Sequence, residues 1–388
     1  MVRSLRVLLI GGPMYDPLYS RLGEFEEREG FDVEVVETLP HPQLNERVDE
    51  AFSSGTASFD LISTHTKYAP SQSRWLTSLD DDLEETELET FNARTLDLAR
   101  IDGRLYGVPR NLDVKLLYYR TDLMQGPPST WDELREEGVR LRSDGLYGFA
   151  FPGKESGLFG HFFELHAMAG GEMFTDADTP APHFDDEAGR WALSLLKDLH
   201  DRAAPEETTE WHYDEVAACF RRGKAAMSTD WPGGFYTYED PDQSVVSGSY
   251  DVALYPEGPA GRFVYSSSHT FAIPSTVRDR PAAIDLLRFL TSRRSQRLEA
   301  KLGTLPARAD AREDARAAAE AGSRAERRWE LLAATEQAAL IPPKHPNYPT
   351  VEDAIWEGIR EALLGNKSVE QALADTEAAA SHAATTPR

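Results

Sequence analysis

The chain has one cysteine in 388 residues, Cys219, so it can form no intrachain disulfide, and pairing says nothing about its redox compartment. Cys219 lies in the apolar helical stretch Ala217-Ala218-Cys219-Phe220, where a small buried thiol is expected rather than a nucleophile. No apolar run approaches the roughly 18 residues that a membrane-spanning helix needs. Basic residues are few: 41 Lys and Arg stand against 66 Asp and Glu, a formal net charge of -25. So acidic a surface repels phosphate backbones and anionic lipid, which excludes nucleic acid as the expected partner. At the N-terminus, Arg3 and Arg6 flank only Val7-Leu8-Leu9-Ile10. A secretory signal needs a longer apolar stretch and a small-residue cleavage site. This segment reads instead as a first buried strand, which leaves a cytoplasmic location open.

The strong catalytic signatures are also missing. There is no Gly-x-x-x-x-Gly-Lys-Ser/Thr loop and no His-Glu-x-x-His, Cys-x-x-Cys or Gly-x-Ser-x-Gly. Gly11-Gly12-Pro13 is not a dinucleotide fingerprint. His161 and His166 are five apart, poor spacing for one helix face, so no metal site is expected. Acidic runs such as Asp80-Asp81-Asp82 read as solvated faces in so acidic a chain. No catalytic residue and no cofactor are expected.

What is present is a long α/β chain. A single core rarely grows past about 250–300 residues, so 388 residues imply two domains. Strands are expected at 5–10, 31–38 and 59–63, with helices at 17–29 and 44–53 between them. This alternation predicts a parallel sheet covered by helices. Ligands in such sheets sit beyond the carboxyl ends of the strands, here residues 11–15 and 64–68. A helix is expected to begin at Thr130 or Ser129, with Glu133 placed for a capping box. Further strands are expected at 114–119, 146–151, 225–229, 250–254 and 270–273. From 310 the chain reads as helices, fraying after 381. No linker separates two domains, so the chain should cross between them more than once.

A set of landmarks in fixed order resembles the family 1 extracellular solute-binding proteins, the maltose-binding-protein-like group. They begin with Phe59-Asp60-Leu61-Ile62 and Trp75-Leu76-Thr77-Ser78-Leu79-Asp80. The most specific is Asp102-Gly103-Arg104-Leu105-Tyr106-Gly107-Val108-Pro109, followed by Leu117-Tyr118-Tyr119-Arg120-Thr121-Asp122-Leu123, where the family typically has Tyr-Asn-Lys and Arg120 is a departure. Pro128-Ser129-Thr130-Trp131, Gly170-Gly171-Glu172-Met173-Phe174, Phe220-Arg221-Arg222-Gly223-Lys224, Phe271-Ala272-Ile273-Pro274 and Gly303-Thr304-Leu305-Pro306 complete the series. The resemblance implies two α/β lobes of the type II periplasmic-binding-protein fold, each a mostly parallel sheet flanked by helices. Lobe one would hold 1–112 and 270–318, and lobe two 113–269 and 319–388. It further implies the extracytoplasmic binding component of an ABC importer, a monomer that docks on permease subunits.

A sugar or polyol site needs a partner for every buried hydroxyl and aromatic faces for the C–H surfaces. Loops at strand ends supply both residue types. The candidates are Tyr15 and Asp16 after the first strand, and His65, Thr66 and Tyr68 after the third. Arg110, Asn111 and Asp113 lie at the first crossing, and Ser268 and His269 at the second. Glu172 lies beside paired glycines. Trp231, Gly233 and Gly234 follow a strand, and Tyr348 lies in a Pro-rich loop. Two other readings stay open: a glycoside-acting hydrolase using an acidic pair, and a solute sensor with the same fold.

Overall fold

The computed structural model describes residues 4–12, 14–176 and 179–386, apart from the side chain of Pro42. Arg3 and Pro13, which figure in the sequence reading, lie outside the described residues. The chain divides into two compact units, Met1–Asp113 with Ser267–Ala319, and Val114–Ser266 with Glu320–Arg388. It therefore passes from one unit to the other three times. Asp113 and residues 267–269 belong to the first unit, where the sequence reading set them in the second. Backbone pairing explains this: the Asp113 amide donates to the Ser267 carbonyl (2.9 Å), and His269 pairs within the first unit's sheet.

The first unit is built on a five-stranded sheet ordered Asp32–Leu39, Ser4–Ile10, Leu61–His65, His269–Ala272, Val108–Pro109. The first three run parallel; His269–Ala272 runs against both its neighbours. Alternate side chains fill opposite faces. Leu5, Val7 and Leu9 enter one apolar cluster, Leu8 and Ile10 the other. A sheet covered on both faces accounts for the uninterrupted apolar run in its first strand. The third strand extends to His65, two residues beyond the expected end. At Asp102 and Gly103 the backbone takes φ of 50° and 77°. Both are left-handed, as a two-residue hairpin turn between Arg100–Ile101 and Arg104–Leu105 requires.

The second unit has a four-stranded sheet ordered Tyr250–Ala253, Leu116–Arg120, Ala225–Asp230, Tyr147–Ala150. Here Leu116–Arg120 is the strand that runs against the others. In each unit the odd strand is one that the chain enters within a few residues of a crossing. The helix Trp131–Leu141 starts as expected: Thr130 Oγ1 accepts the Glu133 amide (3.2 Å) and Glu133 reaches back to the Thr130 amide (3.4 Å). The core is aromatic, with Trp131, Tyr118, Phe149, Phe151 and Phe159 inaccessible to solvent.

Three local expectations need correction. The stretch 17–29 is two helices, Asp16–Tyr19 and Leu22–Glu29. The last helix, Val369–Thr385, continues past 381 because Ala380 and Ala384 are buried. Tyr348 opens the helix Tyr348–Leu363 and is fully buried, so it is core rather than loop.

A close backbone approach fixes the helix Trp131–Leu141 on its sheet. A Cβ on Gly148 would fall on the Gly138 carbonyl and Cα. Gly148→Ala must therefore push helix and strand apart, at a cost of about 1–3 kcal/mol or more. A denaturant melt should show the midpoint falling; an unchanged midpoint would contradict this packing.

Candidate functional site

Each unit carries its own cluster at the ends of its strands. In the first unit the cluster grows from one strand pair. His65 and His269 are register partners across the antiparallel ladder, so their side chains leave the same face side by side. The two chains are tied further by a reciprocal pair beyond them. The Thr66 amide donates to the Ser268 carbonyl (3.0 Å), and the Ser268 amide donates to Thr66 Oγ1 (3.1 Å). Asn111 links this pair to the first crossing. Its Oδ1 accepts the His269 amide (3.0 Å), its Nδ2 donates to Asp113 Oδ1 (2.6 Å), and its carbonyl accepts the Ser268 hydroxyl (2.7 Å).

Rings surround these polar groups. Tyr15 stands edge-on to His269 (6.1 Å between centroids), and Tyr68 lies 6.5 Å from His65. Tyr15 reaches this position because the backbone turns at Gly12, whose φ of 138° suits glycine. The Arg110 guanidinium sits 4.3 Å over the Tyr15 ring and is ion-paired with buried Glu299. His41, first residue of the helix His41–Ser53, completes the group at 4.7 Å from His65 and 5.2 Å from His269. Burial, then the neighbouring His41, holds the His65 and His269 imidazoles well below their usual range. Both rings are therefore neutral at neutral pH. Burial lifts the Asp113 carboxyl to about 7 against the opposing pull of Arg110, Ser267 and Asn111.

The second unit's cluster centres on Trp231, which follows the strand Ala225–Asp230 and is partly exposed. Its indole lies 5.0 Å from the buried Tyr213 ring and 6.5 Å from Tyr265. Beneath it Lys115 and Glu164 form a fully buried ion pair at 2.8 Å. Glu164 also accepts the Tyr265 amide (2.6 Å) and the Tyr255 hydroxyl (2.9 Å). The loop after Trp231 is pinned by buried Arg328, which donates to the Pro232 carbonyl (2.9 Å). Gly234 has to be small, since a Cβ there would strike the Asp230 carboxylate. Gly233 caps the short helix Gly234–Glu239.

The structure thus gathers Tyr15, His65, Thr66, Tyr68, Arg110, Asn111, Asp113, Ser268 and His269 in one unit, and Trp231, Gly233 and Gly234 in the other. Asp16 and Glu172 are exposed and join neither cluster through the contacts described above. Tyr348 packs on Phe159 and Phe174 inside the second unit, away from solvent. The sequence reading missed His41, Lys115, Glu164, Tyr213, Tyr265 and Arg328. Signals existed for three of them. Lys115 and Glu164 each interrupt an apolar run, a pattern of paired burial, and His41 follows the second strand's carboxyl end. Cys219 is buried, which pushes its thiol up to about 11 and leaves it a poor nucleophile.

A family model for bacterial extracellular solute-binding proteins matches residues 21–325. The chain is similar to a Sinorhizobium fredii protein named as a probable amino-acid ABC transporter periplasmic-binding protein. That match is 24% identical and covers 96% of this chain and 87% of the relative. A probable ABC transporter-binding protein of Deinococcus radiodurans is 28% identical over 52% of this chain and 50% of its own length. Among solved structures, maltose-bound T. maritima MalE3 matches with a TM-score of 0.87 at 25% identity, covering 98% of this chain and 99% of that one. A ribitol-bound ABC transporter solute binding protein from Agrobacterium radiobacter K84 shares the fold, with a TM-score of 0.85 at 20% identity over 98% of each chain. The fold is therefore that of the two-lobed periplasmic sugar-binding proteins.

The loop at Trp231 carries a pH signature. Burial raises the Asp230 carboxyl from 3.8 to about 7, opposed by hydrogen bonds from the Tyr238 hydroxyl and the Trp231 amide. The folded state thus holds this proton more tightly than the unfolded chain. The stabilisation is complete below the unfolded value and is lost as pH rises through the folded one. Asp230→Asn removes this loss. Parallel thermal melts of variant and parent should show a stability difference that grows in the variant's favour from pH 4 to 8. A difference constant with pH would contradict the assignment.

Proposed function

Because the chain belongs to the bacterial extracellular solute-binding proteins, we propose that this ABC transporter binding component takes a neutral sugar or polyol and holds it with both units at once. What carries the reading is the pair of aromatic and polar clusters, one on each unit, at the ends of the strands. Trp231 offers a partly exposed face for C–H surfaces. Asn111, Asp113, Thr66 and the histidines offer the donors and acceptors that buried hydroxyls require. Relatives of the same fold were solved with maltose, ribitol and D-mannitol, which supports the solute class.

The work of such a protein is a shift in population. A solute that touches both units stabilises the form in which both can reach it, and permease subunits then recognise that form. No covalent step is needed: the family and fold are those of transport binding proteins. We place the protein outside the cytoplasm, as its family's description has it, and acting as a monomer. Among the described residues no helix is long and apolar enough to cross a membrane.

Calorimetry across mono- and oligosaccharides and linear polyols tests the solute class, with amino acids as a second arm because of the Sinorhizobium relative's name. At least one sugar or polyol should bind with one-to-one stoichiometry. Silence across sugars and polyols, or tight binding of an amino acid alone, would overturn the solute class. With the solute found, Trp231→Ala should cost about 2 kcal/mol, some thirtyfold in Kd. An unchanged Kd would remove Trp231 from the site.

A further inference from the structure

We propose that His65, His269 and Asp113, with His41 beside them, form a binding site for a divalent transition-metal ion in the first unit. His161 and His166, five apart on the helix Glu155–Met168, are poorly spaced to share an ion. The structure keeps those two apart in role. His161 is hydrogen-bonded to the Gly157 carbonyl and Thr229, and His166 lies 3.3 Å from Asp186. The histidines that do converge lie far apart in the chain, at 41, 65 and 269.

Several observations meet at this point. One ligand atom from each of His65, Asp113 and His269 lies within 4.8 Å of the other two. The His41, His65 and His269 rings lie 4.7 to 5.2 Å from one another and stand at 62° to 90°, edge to face. In each such contact the edge of one ring meets the face of the next, so the three rings close a triangle. Backbone structure fixes the donors: His65 and His269 are register partners in a sheet, and Asp113 pairs with Ser267 beside them. Asn111 orients two of the three, through the Asp113 carboxylate and the His269 amide. Such outer contacts are what hold metal ligands in place. His65 is buried while Asp113 and His269 are partly exposed, so an ion has a way in.

Bond lengths decide how much must move. Ligand atoms about 2.1 Å from a tetrahedral ion stand about 3.4 Å apart. The widest separation here exceeds that by at most about 1.4 Å, a distance that side-chain torsions can close. One contact resists: the Lys67 amide donates to His65 Nδ1 (3.1 Å), and ligation through Nε2 requires that bond to be given up. The positive charge of Arg110 is met by Glu299 and the Tyr15 ring, so it does not stand as a bare repulsive neighbour.

The donor set names the ion class. Imidazole nitrogens with one carboxylate suit Zn²⁺, Ni²⁺, Co²⁺ or Cu²⁺ and disfavour Mg²⁺ and Ca²⁺, which seek oxygen. Three ligands leave one position of a tetrahedral ion open, which His41 or an exogenous oxygen or nitrogen can take. A single hydroxyl or amino group of a solute fits there.

The test uses the full chain, free of any purification tag and stripped with chelator, in the absence of any solute. Its result is therefore independent of the transport reading. Zn²⁺ titrated by calorimetry should bind one per chain, and Co²⁺ should give the visible absorption of a protein-bound ion. His269→Ala and His65→Ala should each weaken Zn²⁺ at least tenfold. Asp113→Asn, which keeps size and shape, should do the same and serves if the histidine variants fail to fold. Excess Mg²⁺ or Ca²⁺ should not compete. No Zn²⁺ binding, or equal binding by the parent and Asp113→Asn, would overturn the proposal.

Discussion

The insertion of His269–Ala272 between Leu61–His65 and Val108–Pro109 is the pairing on which the first unit's cluster depends. It joins a segment some two hundred residues downstream to the middle of a sheet begun at the N-terminus. Every hydrogen bond in the ladder also sets a side chain. His269 is placed opposite His65, Thr270 opposite Thr64, and Ser268 falls where it can exchange hydrogen bonds with Thr66. A slip of one residue would turn His269 away from His65. The helix Arg293–Ala300 then locks the arrangement from behind. Gln296 Nε2 donates to the Pro109 carbonyl (3.1 Å), and Glu299 neutralises Arg110.

The second unit solves a similar problem with a buried ion pair. Lys115 and Glu164 cost desolvation on burial, and burial pulls Lys115 down and pushes Glu164 up in pKa. Such a pair is seldom a net source of stability. Its use here is placement: Glu164 grips the Tyr265 amide and the Tyr255 hydroxyl, while Lys115 lies 5.6 Å from the Trp231 ring. The aromatic wall is thus fixed by charges that never reach solvent. Arg328 fixes the loop beyond it in the same manner, through the Pro232 carbonyl.

How much of this could be read beforehand follows from how local each feature is. The capping box at Thr130 and Glu133 involves four consecutive residues and was legible. So was the strand-end position of Tyr15 and Tyr68, since each follows a short apolar run, and Gly11-Gly12 marks the first strand's end. Length and the alternation of strand and helix patterns pointed to two α/β domains, and the ordered landmarks made the two-lobed arrangement readable. Tyr348 was misplaced because its Pro-rich approach reads as loop, whereas Phe159 and Phe174 bury it. The helix Arg293–Ala300 was missed because Arg-Arg-Ser-Gln-Arg-Leu-Glu-Ala has no apolar stripe; beside Ala300 its buried residues are the polar Ser295, Gln296 and Glu299, each held by a polar partner outside the helix. His41 escaped because two prolines flank it and its partners lie 24 and 228 residues away. Exposure of Glu172 and Asp16 likewise depends on tertiary packing that no local pattern encodes.

The central claim is that one solute is held jointly by the two clusters, so that binding draws both units onto it. Small-angle X-ray scattering with and without saturating solute tests it most directly. The account predicts a smaller radius of gyration in the complex and a return to the starting value when the solute is dialysed away. Stoichiometric binding with unchanged scattering would contradict it, since the solute would then be held without drawing the two units together.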